Sequence, residues 1–379
     1  MSMPVELTDE QIEQLGHEID AIREEVMNDL GQEDADYIRR IVRVQRSCEA
    51  GGRALLMAGI LPPAWLAGTS LLSLSKILEN MEIGHNVMHG QWDWMRDPKL
   101  HSANYEWDTA SPAEEWKHSH NFVHHTFTNI VGRDRDVGYG ILRMAPDQPW
   151  KPVYLAQPLY NWALAGLFQW GVALHDLEFE RIGKSKSLRE AGSQSLRILR
   201  KARKQVAKDY VVFPLLGGPM APLILAGNIN ANFVRNLWAY MIIFCGHFTE
   251  DAEMFTEDVL ENESRGHWYL RQILGSSNLE GGKLMHIMSG NLSHQIEHHL
   301  FPDMPSNRYA EVKPRIQEIC QRYGIHYNTG RLSRQFGTVM KRVARLALPG
   351  GKKGSTGMEA AEPASAESDQ RGAELPAAA

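Results

Sequence analysis

The first fifty residues alternate apolar and charged positions at the intervals of an α-helix. From Leu7 to about Leu30 apolar residues return every three or four positions, and Thr8 and Gln11 have the spacing of an N-terminal capping box. A second run, from about Asp34 to Ala50, carries isoleucines on one face and arginines elsewhere. We therefore predict two amphipathic helices in an N-terminal segment, residues 1–52.

Three longer stretches are almost purely apolar. The first, Ala54 to about Leu78, is interrupted by two prolines; the second, Val153 to Leu174, carries no charge; the third, Tyr210 to Phe248, contains one arginine. A helix needs ~20 apolar residues to cross a bilayer. We therefore predict membrane spans in about 54–84 and 210–248, each as a pair of helices.

A basic segment decides the predicted topology. Ten lysines and arginines lie between Arg181 and Lys208, and such segments tend to stay on the cytoplasmic side. Residues 153–174 would then enter and leave on that side, as a re-entrant or interfacial helix. We predict an all-α integral membrane protein with about four transmembrane helices. Its membrane domain is residues 53–348, within which 85–152 and 249–348 form a cytosolic helical cap.

Composition limits how far this interpretation can be taken. The chain has 379 residues, of which 43% are hydrophobic, a net charge of -6 and a mean hydropathy of -0.36. That hydropathy is ordinary for a soluble protein, so the membrane prediction depends on the local apolar stretches alone. We expect no nucleic-acid partner, and the three scattered cysteines lack disulfide or zinc-ribbon spacing. Residues 349–379, rich in Gly, Ala, Ser, Glu and Pro, are predicted to be a disordered tail.

Histidine is the unusual residue, with 16 copies, and eight of them form three clusters. Each cluster contains a pair four residues apart, which helical geometry places on one face, where two imidazoles can bind one metal ion. In two clusters another histidine follows directly, and its ring points ~100° around the helix, toward a second metal. The clustered residues are His85, His89, His120, His124, His125, His294, His298 and His299.

Ligand type alone leaves the metal open. Imidazole suits zinc, copper, iron and nickel, although a structural zinc site closes at four ligands and the clusters offer more. A soluble ferritin-like di-iron protein is an alternative, because Glu82 with His85 and Glu115 with His118 form Glu-x-x-His pairs. That architecture requires glutamates from two further helices, and it leaves the adjacent histidine pairs unexplained.

Six stretches are specific enough to compare with known families. They are Glu79–Met95, His120–Asn129, Asp136–Gly140, Cys245–Phe248, Trp268–Asn278 and Met288–Tyr309. Through them the chain, from about Leu7 to Leu348, resembles the membrane fatty acid desaturase family, most closely its actinobacterial NADPH-dependent stearoyl-CoA delta-9 desaturases. The resemblance implies two non-haem iron ions, O2 as oxidant, and electrons from NADPH through a separate flavin or iron-sulfur oxidoreductase.

The same resemblance assigns the ligands residue by residue. It makes the eight clustered histidines ligands and adds a ninth, His247, at the end of the last predicted span. His294 and Gln295 compete for one position of the third cluster, and we favour His294 by analogy with His120. The predicted ligands are His85, His89, His120, His124, His125, His247, His294, His298 and His299. The histidines expected to be structural or exposed are His17, His101, His118, His175, His267, His286 and His326.

Two further sets of residues are expected around the centre. Carboxylates there could orient imidazoles by accepting their free N–H, although a solvent-exposed carboxylate is an equal alternative for each. Tryptophans could line an apolar tunnel for the acyl chain, or serve as interfacial anchors. The carboxylates are Glu82, Asp134, Asp136 and Glu297, and the tryptophans are Trp92, Trp94 and Trp116.

The predicted function is that of an oxidoreductase at the plasma membrane, with its histidines on the cytoplasmic side. It would introduce a cis double bond into a long-chain saturated acyl chain, stearoyl- or palmitoyl-CoA at delta-9, while O2 is reduced to water. The bond position and the CoA carrier come from the resemblance alone. Two alternatives stay open: a fatty acyl or alkyl hydroxylase on the same di-iron scaffold, and a zinc-dependent membrane hydrolase.

Overall fold

The computed structural model describes residues 5–350, which are mainly helical. Apart from its first two residues, the predicted disordered tail lies outside this part of the chain. The α-helices are α1 (Asp9–Asn28), α2 (Gln32–Met57), α3 (Pro62–Leu78), α4 (Asn86–Met88), α5 (Ala113–Trp116), α6 (His125–Phe127), α7 (Gln157–Gly166), α8 (Phe168–His175), α9 (Leu188–Val206), α10 (Phe213–Leu216), α11 (Ala221–His247), α12 (Arg265–Leu274), α13 (Lys283–Met288), α14 (Gln295–Leu300), α15 (Tyr309–Tyr323) and α16 (Leu332–Leu346).

Shorter elements connect these helices. Two strands, β1 (Asn278–Glu280) and β2 (Thr329–Arg331), pair in parallel with Asn278 opposite Thr329. The π-helical segments are Glu79–His85, Lys117–His124 and Ala207–Val212. The 3-10 turns are Asp93–Met95, Val137–Gly140, Pro152–Ala156, Phe179–Arg181, Gly218–Met220, Glu257–Leu260, Leu292–His294 and Ser306–Arg308.

The N-terminal segment forms the two predicted amphipathic helices. Thr8 and Gln11 exchange side-chain and backbone hydrogen bonds at the start of α1, so the capping box is confirmed. α2 continues past its predicted end into the first apolar stretch. α1 packs on α12, where the backbones come so close at Gly16 and Gly266 that a Cβ on Gly266 would lie 2.0 Å from the Ile12 carbonyl oxygen.

The prediction of about four transmembrane helices is wrong. Within residues 5–350 no helix has both the length and the apolar composition that a bilayer crossing requires. The first predicted span, 54–84, is divided among the end of α2, the 17-residue α3 and a π-helical segment. In the second, 210–248, the 27-residue α11 is long enough but too polar. Its polar residues include Asn228, Asn230, Asn232, Arg235 and Asn236.

A buried polar network around Asp209 explains two of these residues, Asn228 and Asn232. The carboxylate of Asp209, just before α10, is fully buried and accepts hydrogen bonds from Lys76 at 2.6 Å, Asn232 at 3.1 Å and Arg53 at 3.3 Å. Asn228 donates to the backbone carbonyl of Asp209. Buried charges require such partners, so α2, α3 and α11 are joined by polar contacts as well as by apolar packing.

Residues 153–174 form two short helices, α7 and α8, which meet at Leu167. Their inner face packs on α11 through Leu164 and Phe168. Their outer face leaves large apolar side chains uncovered, including Leu159, which is 77% exposed, and Trp162. The re-entrant or interfacial placement of this segment stays a prediction.

Candidate metal centre

Eight of the nine predicted ligands meet at one place in the fold. The first cluster comes from the segment Glu79–His85 and α4, the second from Lys117–His124 and α6, the third from α14, and His247 from the end of α11. Ring nitrogens of seven of these histidines form two sets, and within each set the nitrogens lie within 4.8 Å of one another. The first histidine group is His85, His89, His120 and His298, and the second histidine group is His124, His247 and His299.

Facing nitrogens define the two groups. In the first, His85 Nε2 lies 3.3 Å from His298 Nε2. In the second, His247 Nε2 lies 3.3 Å from His124 Nε2 and 3.1 Å from His299 Nε2. His298 and His299 therefore belong to different groups, as expected for neighbours on a helix pointing toward two metals.

His125 lies between the two groups. Its ring centroid is 4.7 Å from that of His89 in the first group and 4.3 Å from that of His299 in the second. The side chain is buried, and neither of its ring nitrogens has a hydrogen-bond partner. His125 is thus placed to serve either group.

The second cluster contributes to both groups. His120 and His124, which were expected to share one metal, both lie in the π-helical segment Lys117–His124, and their rings stack with 5.0 Å between centroids. Together with Asp136 they offer ligand atoms within 4.8 Å of one another, as a shared metal would require. Each ring also faces a different group, His120 toward His85 and His89, and His124 toward His247.

His294 stands apart from both groups. Its ring stacks on that of His286 at 4.5 Å, and its nitrogens have no hydrogen-bond partner. Gln295 instead points to the second group, with its Nε2 2.9 Å from His247 Nε2. Of the two alternatives for this position, the fold brings Gln295 and not His294 to the centre.

The clustered imidazoles fit a metal ion. Seven of the eight are buried and His120 is half-buried, and hydrogen-bond partners are missing at His89 Nε2, His120 Nε2 and both nitrogens of His125. Unpartnered buried nitrogens are costly unless something binds them. Burial, reinforced by neighbouring histidines, lowers the pKa of most of these rings, which favours the neutral form that binds metals. Those with a pKa well below the ordinary value are His85, His89, His125, His247, His298 and His299.

Two of the four predicted carboxylates contact the centre. Asp134 lies 3.0 Å from His124 Nδ1, and although burial opposes it, this carboxylate raises the pKa of His124 above its ordinary value. Asp136 lies 3.4 Å from His120 Nδ1. Glu82 and Glu297 are buried but point elsewhere, Glu82 toward Tyr37, Ser306 and Asn291, and Glu297 toward Tyr327 and Asn278.

Three contacting residues were not among the predicted site residues, although Gln272 and Tyr309 lie within two of the stretches that resemble the desaturase family. His175, which we expected to be structural or exposed, has its Nε2 3.1 Å from Asp136 Oδ1. Tyr309 lies 3.1 Å from His298 Nδ1, and Gln272 lies 2.9 Å from His299 Nδ1. These polar groups orient the imidazoles from outside, and only the fold brings them together.

A cavity opens beside the first group. His85, His120 and Asp136 lie in its wall, and Trp116 stacks on His120 with 4.4 Å between ring centroids. Of the other two candidate tryptophans, Trp92 is buried against Tyr37 and Trp94 is partly exposed. Most of the surface that the wall exposes is apolar, from residues such as Trp107, Tyr139 and Phe168, although polar side chains that include Asp176 and Arg235 also line it.

Comparison with known proteins agrees with this geometry. Residues 61–331 match the fatty acid desaturase family. An NADPH-dependent stearoyl-CoA 9-desaturase of Mycobacterium tuberculosis is 49% identical over 90% of this chain and 82% of its own length. An sn-1 linoleoyl-lipid 6-desaturase of Synechocystis is 26% identical over 72% of this chain and 77% of its own. Both the family match and the 49% identity span most of the residues that build the centre, and this chain belongs to the fatty acid desaturase family.

Proposed function

We propose that the protein introduces a delta-9 cis double bond into stearoyl-CoA or a similar long-chain acyl-CoA. The observation that carries the proposal is the pair of histidine groups beside a largely apolar cavity. The substrate and bond position are supported by the name of the 49% identical relative. A desaturase must hold an unreactive methylene next to an oxidising metal centre, and a cavity against His85 and His120 offers that position.

We propose that the centre holds two iron ions. His85, His89, His120 and His298 would hold one and His124, His247 and His299 the other, with His125 between them. The metals, together with O2, would supply an oxidant that no side chain can provide. His294, the ninth predicted ligand, has no support from the geometry.

The chain's own residues would orient the imidazoles and form the wall beside them. Trp116 stacks on His120 and lines the cavity with it, while Asp134 and Asp136 accept from imidazole Nδ1 and so leave Nε2 free to bind metal. Electrons would come from NADPH through a separate flavin or iron-sulfur oxidoreductase, as the name of the relative suggests for NADPH.

We also propose that the protein is held at the plasma membrane with the histidine groups on the cytoplasmic side. Uncovered apolar side chains on α7, α10 and α11 support this, because soluble surfaces rarely carry many together. They include Leu159, Trp162, Leu215, Leu216 and Phe233. Retention in the membrane fraction after high-salt washing is the expected result; release by salt alone would contradict it.

Metal content of the purified protein tests the proposed function. We expect about two iron ions per chain by mass spectrometry, lost in His124→Ala and kept in His294→Ala, with thermal unfolding used to confirm that both variants fold.

Incubation with stearoyl-CoA, NADPH and a reductase should give a product two mass units lighter. Reproducible zinc without iron, even from iron-rich medium, would favour the hydrolase alternative, and an oxygen-containing product would favour the hydroxylase.

A further inference from the structure

A buried carboxylate that contacts none of the clustered histidines lies in the cavity wall. Asp176 follows directly after α8 and is only 3% exposed. Its oxygens accept hydrogen bonds from Ser119 Oγ at 2.7 Å and from Ser111 Oγ. Both of these partners are uncharged, and a buried carboxylate with uncharged partners is costly to keep ionised.

The surroundings of Asp176 favour its protonated form. Burial raises the pKa of the Asp176 carboxyl above its ordinary value, although the hydroxyls of Ser111 and Ser119 oppose this effect. Of the charged neighbours, His175 favours the ionised form and Asp136 favours the neutral form. Such a carboxyl can take up and release a proton closer to neutral pH than an exposed one can.

On its other side, Asp176 borders a polar groove at the protein surface. Asp176 and Ser119 line both the groove and the cavity, and both residues are buried, so they form a partition between the two. Gln194 of α9 lies on the groove side and donates to the Asp176 backbone carbonyl and to Glu115, each at 2.7 Å. Ionisable side chains along the groove include Glu115, His118, Glu178, Lys186, Glu190 and Arg197.

Desaturation consumes protons at a buried place. The acyl chain gives up two hydrogen atoms, and O2 becomes two molecules of water only when two electrons and two protons are added. The reductase of the proposed function supplies the electrons, whereas the protons come from solvent. Because a proton moves from one hydrogen-bonding group to the next, it can cross a closed partition through a single titratable side chain.

We propose that Asp176 transfers protons from the groove to the cavity during desaturation. The inference rests on the proposed function and deepens it, because it assigns the route by which the protons of the reaction arrive. An O–H bond forms at the carboxyl on the groove side and breaks on the cavity side, so each cycle moves one proton inward and leaves Asp176 unchanged. Asp136 has a different role, since it contacts the His120 imidazole directly.

Infrared spectroscopy of the metal-free full chain tests proton uptake without turnover. A protonated carboxyl has a carbonyl band that an ionised one lacks, and this band shifts in D2O when solvent reaches the group. We expect Asp176→Asn to remove one such band that shifts in D2O and that titrates above the range of exposed carboxyls. The control is Glu297→Gln, which removes a buried carboxyl bonded to Tyr327 and Asn278 and should leave the Asp176 band unchanged.

Turnover tests proton release into the cavity. Asp176→Asn keeps the shape of the side chain but cannot carry a proton, so bound iron should be unchanged while desaturation slows at least about tenfold. D2O should slow this variant more than it slows the wild type, because proton transfer then limits the rate. Acetic acid should partly restore activity to Asp176→Ala, where the shortened side chain leaves room for it. A residue with a structural role alone would respond to neither D2O nor acetic acid.

Three results would overturn the inference. Asp176→Asn removes no infrared band that shifts in D2O, it desaturates as fast as the wild type, or it loses iron together with activity. A wild-type protein that binds iron but forms no double bond would contradict the proposed function instead. The infrared result would still decide whether Asp176 exchanges protons with solvent, so the two failures are distinguishable.

Discussion

Asp136 is the residue that links the two histidine groups to the cavity wall. One of its oxygens lies 3.4 Å from His120 Nδ1 and 3.8 Å from His124 Nδ1, and the other lies 3.1 Å from His175 Nε2. A carboxylate that accepts from an imidazole N–H fixes the tautomer, so the opposite nitrogen keeps its lone pair for metal. His175 in turn holds the carboxylate in place.

We expect Asp136→Asn to weaken metal binding ~10- to 100-fold, the usual effect of losing such a partner. Titration of Fe²⁺ or Co²⁺ into the metal-free protein measures this directly, without turnover. Glu297→Gln is the matched control, because the Glu297 carboxylate contacts Tyr327 and Asn278 and no histidine. Equal loss of metal affinity in both variants would show that buried charge in general, and not contact with His120, supports the centre.

The spacing of histidines along the chain predicted most residues of the site but not all of them. The clustered histidines could be identified because repeated spacings are visible in the chain. His294 could not be placed by spacing, because it ends a 3-10 turn with φ -106° and ψ 54°, so it is not on the helical face of His298. His175 is 39 residues from Asp136, and nothing in the sequence indicates that they meet.

Among the helices, α12 forms hydrogen bonds to both the second and the third histidine clusters. Gln272 donates to the His125 carbonyl at 3.3 Å, and its side-chain oxygen lies 2.9 Å from His299 Nδ1. The neighbouring Arg271 is fully buried, pairs with Glu263 and donates to the Thr126 carbonyl at 2.9 Å. α12 is itself held against α1 at the Gly16 and Gly266 crossing.

We expect Gly266→Ala to destabilise the protein by about 1–3 kcal/mol, because the new methyl group would force α1 and α12 apart. The control is Gly337→Ala in α16, where a Cβ meets nothing within 4 Å; there the change should be neutral or slightly stabilising, since alanine favours helix. Thermal unfolding of both variants measures the difference. Equal melting temperatures of the two variants would show that α1 and α12 can move apart at Gly266 without loss of stability.

For the helices, the sequence predicted where they form better than it predicted what they pack against. The amphipathic pattern and capping box located α1 because both are local. The apolar stretches were taken for membrane spans because windows rich in Leu and Ile hide the asparagines between them. Two of those asparagines, Asn228 and Asn232, donate to the buried Asp209, one to its backbone carbonyl and one to its carboxylate, and Asp209 meets α11 only in the folded chain.

A contact between the N-terminal helices and the residues after the third histidine cluster joins distant parts of the chain. Asp34, near the start of α2, accepts from Arg308 Nε at 2.7 Å and Nη2 at 2.8 Å, and from Asn307 at 2.7 Å. Burial alone would raise the pKa of the Asp34 carboxyl, but hydrogen bonds from Arg308, Asn307 and the Gly31 N–H outweigh it and hold that pKa below its ordinary value. The N-terminal helices are thereby tied to the segment just after the third histidine cluster.

Asp34→Asn should therefore lower stability in a pH-dependent way. A depressed carboxyl pKa in the folded state means that the stabilisation is fully present above the ordinary value of 3.8 and is lost as pH falls through the lower folded value. We expect the variant to unfold with about 3 kcal/mol less stability at pH 7. Thermal unfolding from pH 7 to pH 3 should show this gap closing only below about pH 4.

The exposed Asp36 provides the comparison. Asp36→Asn should cost little at any pH, because an exposed carboxylate gains little from its surroundings. A gap for Asp34→Asn that is constant across the whole pH range would show that side-chain shape, and not charge, stabilises this contact.

The two π-helical segments at the histidine groups constrain how the chain can vary. A π turn corresponds to one residue inserted into an α-helix. The wider turn absorbs that extra residue, so the residues after the segment keep their orientation and His89 still faces His298. Deleting one residue from Glu79–His85 should therefore restore an ordinary helix and leave His89 close to its present orientation. Adding a second residue, which the turn cannot absorb, should rotate His89 by about 100° away from His298. In these segments the number of residues constrains the site, and it does so more strictly for insertions than for deletions.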